Sequence, residues 1–325
     1  MAGTGVFDID ERIACLERPG DRPGDDFFYT RLISRVERFT IITGKGYCPK
    51  QVELARWRYP AFCLILLYLF LAILLPFFVL LYVSFLSYLQ APSLAAFAAF
   101  TLKNYRFLAQ YGEVATALKN TLLMVLVTAT TTVFLSFLVS LVVVRSKFWG
   151  RKLLDQLAFL PHAIPGIVMG IAFFWVFLKV DFLPVYGTIW AMSIGFTAGF
   201  LSYGTRSMNA AILQVHKDLE EAAYVSGARP WRTLWRVFMP LMMPTFVGVW
   251  IWVVLHAVRI AGLPLMLYEG PQNQVLSILI WNMWDEGYVP AVAAIGTLLM
   301  LSLLLLTLAV RYIGFRRQLA APPAS

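Results

Sequence analysis

The chain has 325 residues and a formal net charge of +9, yet 60% of it is hydrophobic and only 14% is charged, against about a quarter charged in soluble domains. That balance excludes an ordinary soluble enzyme, a disordered chain and a small disulfide scaffold. Cys15, Cys48 and Cys63 lack CxxC spacing, and His162, His216 and His256 stand far apart, so no metal site is read from the spacing.

Residues 1–59 hold 10 Lys/Arg and 9 Asp/Glu, leaving 26 charged residues for the 266 that follow. This polar head, with the turn-rich run RPGDRPGDD, has the composition of a linker and is expected to stay in the cytoplasm. No apolar stretch of the signal-peptide kind precedes Pro60. Gly44-Lys45-Gly46 lacks the upstream glycine and the following Ser/Thr of a phosphate loop. It is read as a turn, and the chain is expected to have no ATP site and no cofactor of its own.

From residue 60 the sequence reads as an all-α membrane domain of about six spans, residues 60–317, followed by a short cytoplasmic tail, 318–325. Crossing roughly 30 Å of hydrocarbon takes about 20 apolar residues. The runs are Ala61 to Tyr88, Leu118 to Val144, Leu157 to Leu178, Val185 to Tyr203, Pro244 to Gly262 and Pro290 to Ile313. In the third, Pro161, Pro165, Gly166 and Gly170 interrupt the helix. Such a break either lines a solute path, which makes Pro161, Pro165 and Gly166 candidates, or is a packed kink. The fourth run is diluted by Gly187, Gly195 and Gly199.

Between the fourth and fifth runs lies a polar loop, NAAILQVHKDLEEAAYVSGARPWRTLWRVFMPLMMP from Asn209. Asp218 followed three residues on by Glu221 has capping-box spacing and predicts a helix start. Gly227 suits its end, since glycine takes a left-handed conformation cheaply, and Pro230 suits the first turn of a second helix. There Trp231, Leu234, Trp235 and Phe238 fall on one face, with Arg232 and Arg236 on the other. Pro240 and Pro244 are expected to stop that helix and turn the chain into the fifth span. Arg259 and His256 lie near the outer end of that span, and Glu269, Asp285 and Glu286 in the long outer loop 263–289.

With both termini inside, 22 of the 27 Lys and Arg fall in cytoplasmic segments, and the outer loop 263–289 carries none. The positive-inside rule is therefore met, and topology alone explains the net charge without a nucleic-acid partner.

Glu221-Ala222-Ala223, three residues, Gly227, nine residues, then Val237-Phe238-Met239-Pro240 reproduces the pattern EAA-x3-G-x9-I-x-L-P, with apolar replacements at Val237 and Met239. It resembles the signature loop of permease subunits of binding-protein-dependent ABC importers. The resemblance implies a type I importer permease in the bacterial inner membrane, with partners in ABC ATPase subunits, a second permease half, a periplasmic or lipoprotein solute-binding protein, and membrane lipid. It further implies that Glu221, Ala222, Ala223, Gly227, Val237, Met239 and Pro240 couple the chain to the ATPase. Glu221 caps its own helix, pairs with the ATPase, or does both.

LDQLAFLPHAIPGIVMGIAF (Leu154 to Phe173), VLSILIWNMWDEGYVPAVAAIG (Val275 to Gly296) and TLKNYRFL (Thr101 to Leu108) are similar to the second half of ferric-iron permeases. ITGKGYCPK and LARWRYPAF resemble the linker between two such halves. The resemblance implies a C-terminal half, encoded separately or cut from a longer permease, with ferric iron as solute. Related permeases for polyamines, thiamine and phosphonates share much of the pattern. An intramembrane enzyme would need an acid–base or nucleophile pair within the spans, and a secondary carrier an embedded carboxylate for a coupling ion; neither is read in the six runs.

Overall fold

The computed structural model describes residues 55–180, 184–227 and 229–319. The expectations for the head through residue 54, with Cys15, Cys48 and Gly44-Lys45-Gly46, and for the tail beyond residue 319 lie outside the described residues. The chain divides into two units after Leu69. In the first, a 3₁₀ turn, Ala55–Trp57, leads into α1 (Arg58–Leu69), an apolar helix with no buried residue.

The second unit starts with a π-helical segment, Phe70–Leu74, and α2 (Leu75–Ser84). Two short helices follow, α3 (Leu94–Ala98) and α4 (Lys103–Gln110), before the long α5 (Gly112–Arg145). Next come α6 (Arg151–Phe159), a 3₁₀ turn (Leu160–Ala163), α7 (Gly166–Lys179) and α8 (Ile189–Gln214). The polar loop forms α9 (Lys217–Val225) and α10 (Pro230–Thr233), which runs through a π-helical segment, Leu234–Phe238, into α11 (Met239–Ala257). Finally α12 (Gly262–Leu267), α13 (Leu276–Asp285) and α14 (Val289–Leu319) complete the chain.

Among the described residues, four helical stretches are long and apolar enough to cross a membrane: Arg58–Ser84, Gly112–Arg145, Leu234–Ala257 and Val289–Ala309. The expected third span falls on a bent pair, Arg151–Ala163 and Gly166–Lys179, bent by 112° at the break and counting as a fifth crossing if the pair is one broken span. Ile164 is extended before Pro165, the conformation a following proline imposes. The expected fourth span falls on α8, which is long enough but too polar by composition to pass as a fifth lone span. Its Ser193, Thr197, Ser202, Gly204 and Thr205 are buried, so side chains that would be unfavourable in lipid are spent on helix packing.

The core forms around α5, which packs on α8 and α11 and also touches α4, α6 and α13. At the α5–α8 seam small residues bring the backbones together. Ser140 donates to the Thr205 carbonyl at 3.2 Å, and a Cβ on Gly204 would lie 2.1 Å from Ser136 Oγ. Met124, Val125, Phe137, Met192, Phe196 and Val253 are buried there in one cluster. A second cluster joins α4, α5, α13 and α14 through Leu108, Ala117, Leu279, Met283 and Ile295. Outward faces stay apolar, as Leu122, Phe134, Leu138, Leu304 and Leu305 illustrate, which suits a lipid surround.

Two expectations of local structure are corrected. The outer loop 263–289 is largely folded, as α12 and α13. Pro240 and Pro244 do not end a helix: Pro240 is in the first turn of α11 and Pro244 inside it. A proline lacks the amide proton and its ring presses on the carbonyl four residues back. Here a π turn comes immediately before it, with the Met239 N–H donating to Leu234 O, and this wider turn makes room. Pro76 repeats the device, two residues beyond the π segment Phe70–Leu74.

Side-chain amides anchor the connecting segments. Asn104 donates to the carbonyls of Ser84 (2.8 Å) and Leu86 (2.7 Å). Asn120, on α5, does the same to Gln272 (2.8 Å) and Gln274 (2.9 Å). Close by, burial and then the Glu113 carboxylate raise the phenol pKa of Tyr111 and Tyr268, and burial followed by Glu269 raises that of Tyr186. These phenols are neutral at physiological pH, and Glu269, Asp285 and Glu286 are exposed.

Candidate functional site

The polar loop emerges between α8 and α11. α8 ends at Gln214 with Val215 as its extended cap residue, and α9 starts at Lys217. Asp218 therefore stands inside the first turn, not at the cap the capping-box spacing predicted. His216 takes that place: the Asp218 N–H donates to His216 Nδ1 at 3.4 Å, and the Asp218 carboxylate lies 3.0 Å from the same nitrogen. The imidazole thus does what the aspartate was expected to do, because the helix begins two residues earlier.

Glu221 is exposed on α9 and Ala223 is half-buried; the Ala222 and Trp231 side chains lie outside the described residues. Gly227 has φ +74° and a Cβ there would meet nothing within 4 Å. Its glycine is thus required by backbone conformation alone. After it, Arg229 O accepts from the amides of Arg232 (2.8 Å) and Thr233 (3.1 Å), opening α10.

The second helix turns Leu234 and Phe238 of the predicted stripe to the core but not Trp235, and buries Thr233 as well. Phe238 is 4% exposed and Thr233 6%. Leu234 and Met239 pack against the core, whereas Trp235 is half-exposed and Pro240 exposed. The π turn adds a residue to the turn and so rotates the face that a regular helix would present. Val237 is half-buried on it. The sequence-predicted coupling residues therefore form two groups, Glu221 to Gly227 on an exposed lobe and Val237 to Pro240 where the loop re-enters the bundle.

The candidate path residues lie elsewhere, at the break between α6 and α7. Pro161 is half-buried in the 3₁₀ turn, while Pro165 and Gly166 are exposed, and a Cβ on Gly166 would meet open space. The break is tied to α8: Arg206 pairs with Asp155 at 3.1 Å, Asn209 donates to Asp155 at 3.3 Å, and the Arg206 guanidinium lies over Phe159 at 4.9 Å. Gly170 belongs to packing, since a Cβ there would be 2.9 Å from Met266 Cβ of α12. His256 is likewise engaged: its ring stacks on Trp252 at 3.9 Å, and Nδ1 is 2.8 Å from the Trp252 carbonyl.

Sequence reasoning missed Arg145. It counted this residue only as a cytoplasmic charge, yet its guanidinium donates to the carbonyls of Ile212 (3.1 Å) and Val215 (2.5 Å) and lies 5.5 Å from the Phe238 ring. An arginine closing a long apolar run was the available signal, and nothing in the sequence named its partners.

Several long apolar helices, with α5 packed on α8 and α11 and a polar loop lobe between those two, place the chain among multi-pass membrane permeases of the type I importer fold. The chain belongs to the binding-protein-dependent transport system inner membrane component family, whose model matches residues 132–318. It is 27% identical over 213 residues to the ferric transport system permease protein FbpB of Actinobacillus pleuropneumoniae, covering 64% of this chain and 30% of that protein. It is 25% identical over 221 residues to cysT of Zygnema circumcarinatum, named for sulfate transport, covering 63% of this chain and 75% of that one. The chain spans under a third of the length of the ferric relatives it matches. A chain of a bacterial alginate ABC transporter, solved with an alginate pentasaccharide-bound periplasmic protein, matches with TM-score 0.61 at 18% identity over 80% of this chain and 94% of that one. That last likeness is one of fold.

Proposed function

We propose that this chain is one permease half of an ATP-driven importer, forming half of the solute path and taking its drive from a separate ATPase that docks on the loop 216–240. The supporting observation is the lobe itself: an exposed Glu221, a helix ended by Gly227 at positive φ, and a second helix continuous with span α11. A displacement of the lobe is carried into the membrane along that helix without an intervening flexible joint. Glu221, Ala222, Ala223 and Gly227 form the docking part; Val237, Met239 and Pro240 form the root. The other members are ATPase subunits, a second permease half from the same or another chain, and a periplasmic or lipoprotein solute-binding protein. The loop faces the cytoplasm, as the basic residues direct.

Ferric iron is the proposed solute, supported by the stretches 101–108, 154–173 and 275–296; sulfate, a phosphonate, a polyamine and thiamine are the competitors. Pro161, Pro165 and Gly166 are proposed to line the path.

The test is to purify the tagged chain from its native membrane in mild detergent, as wild type and as Glu221→Lys, and to identify co-purifying subunits by mass. An ATPase and a second permease half with the wild type, and loss of the ATPase from Glu221→Lys, are expected. Reconstituted complex is then offered radiolabelled ferric citrate, sulfate, aminoethylphosphonate, spermidine and thiamine. A wild-type chain that emerges alone and drives uptake on a proton or sodium gradient overturns the proposal.

A further inference from the structure

The 22 residues of the excursion 216–237 leave the bundle at Val215 and return to it at Phe238, and one side chain touches both ends. Arg145, the last residue of α5, donates to the carbonyls of Ile212 and Val215, which close α8. The same guanidinium lies over the ring of Phe238, itself buried among core residues. Resting on the reading of this loop as the ATPase docking site, we propose that Arg145 is the positioning residue of the coupling mechanism, joining both roots of the lobe to α5 so that the three move as one body.

The chemistry favours arginine over lysine. One terminal nitrogen of the guanidinium holds both carbonyls while the flat group lies over an aromatic ring; an ammonium could reach the carbonyls but, as a point charge, offers no flat face to the ring. The last carbonyls of α8 carry the negative end of the helix dipole; Ile212 O already accepts from the Val215 N–H at 3.2 Å, and the guanidinium adds a second, charged donor there and one to Val215 O. α5 in turn packs on α8, α11 and α13, which makes it the element through which a pull at the loop reaches the rest of the bundle. Loosening the joint should leave the ATPase bound to an intact Glu221–Gly227 lobe while letting the lobe move without α5.

The experiment uses the whole importer in proteoliposomes, with wild type, Arg145→Gln and Arg145→Lys, and whichever of ferric citrate, sulfate, aminoethylphosphonate, spermidine or thiamine the wild type takes up. Three quantities are read: ATPase recovered with the chain, ATP hydrolysed, and solute imported per ATP. Arg145→Gln should retain the ATPase and its hydrolysis but lose about fivefold or more in solute per ATP, the range of an ordinary coupling energy. Arg145→Lys should recover only part of it. A helix cap with no further role would lower yield or thermal stability and leave the ratio of solute to ATP unchanged; that result overturns the proposal. If Arg145→Gln does not reach the membrane, Arg145→Lys decides by the same ratio. A wild-type complex without an ATPase sinks the docking-site reading instead, and is told apart by the first quantity.

Discussion

At Gly227 a single backbone angle is enough to demand glycine. At φ +74° with open space around its Cβ position, a side chain costs only conformational strain, about 1–2 kcal/mol for an ordinary L-residue, and more for a β-branched one. Gly227→Val should therefore leave insertion intact and impair coupling, while Gly227→Asn, which tolerates the left-handed region, should keep most of it. Uptake by the two variants at equal membrane levels checks this; equal activity would remove the turn from the mechanism. Gly227 was legible because only one residue type occupies that conformation cheaply. Asp218 was misread because a cap depends on where the first helical bond closes, and His216 competed for the place.

At the scale of elements, the seam of α5 and α8 is held by close backbone approach. Gly204→Ala would put a methyl 2.9 Å from Ser136 Cβ and 2.1 Å from its Oγ; the hydroxyl can rotate, but the Cβ cannot. Overpacking of this kind costs about 1–3 kcal/mol. Thermal unfolding in detergent should show a lowered Tm for Gly204→Ala, partly restored by adding Ser136→Ala, since the two sites share one contact. Additive losses would place the strain elsewhere. The positions of α5, α11 and α14 were readable from apolar run length. The bend after α6 was half readable, through Pro165. The π turns were not, because they answer a local clash that the hydropathy pattern does not register, and the prolines were taken for stops where the helix had room to continue.

For the whole molecule, the exposed lobe between α8 and α11 fits a part of an assembly more than a self-sufficient carrier. Native mass measurement of the detergent-purified complex should find at least two permease halves per particle, and the chain expressed alone should show no uptake above empty vesicles. Uptake by the lone chain would contradict the half-permease reading. The sequence by itself determined the helical membrane class, the approximate spans, the loop between the fourth and fifth of them, and the glycine that turns it, because lipid demands long apolar runs and a left-handed turn demands glycine. Only the tertiary structure decided that α8 hides its polar face against α5, that Asn104 and Asn120 clamp the connecting segments, and that Arg145 meets both roots of the loop. Those contacts join residues 18 to 154 positions apart in the chain, and no local pattern encodes which distant carbonyl a buried amide or guanidinium will find.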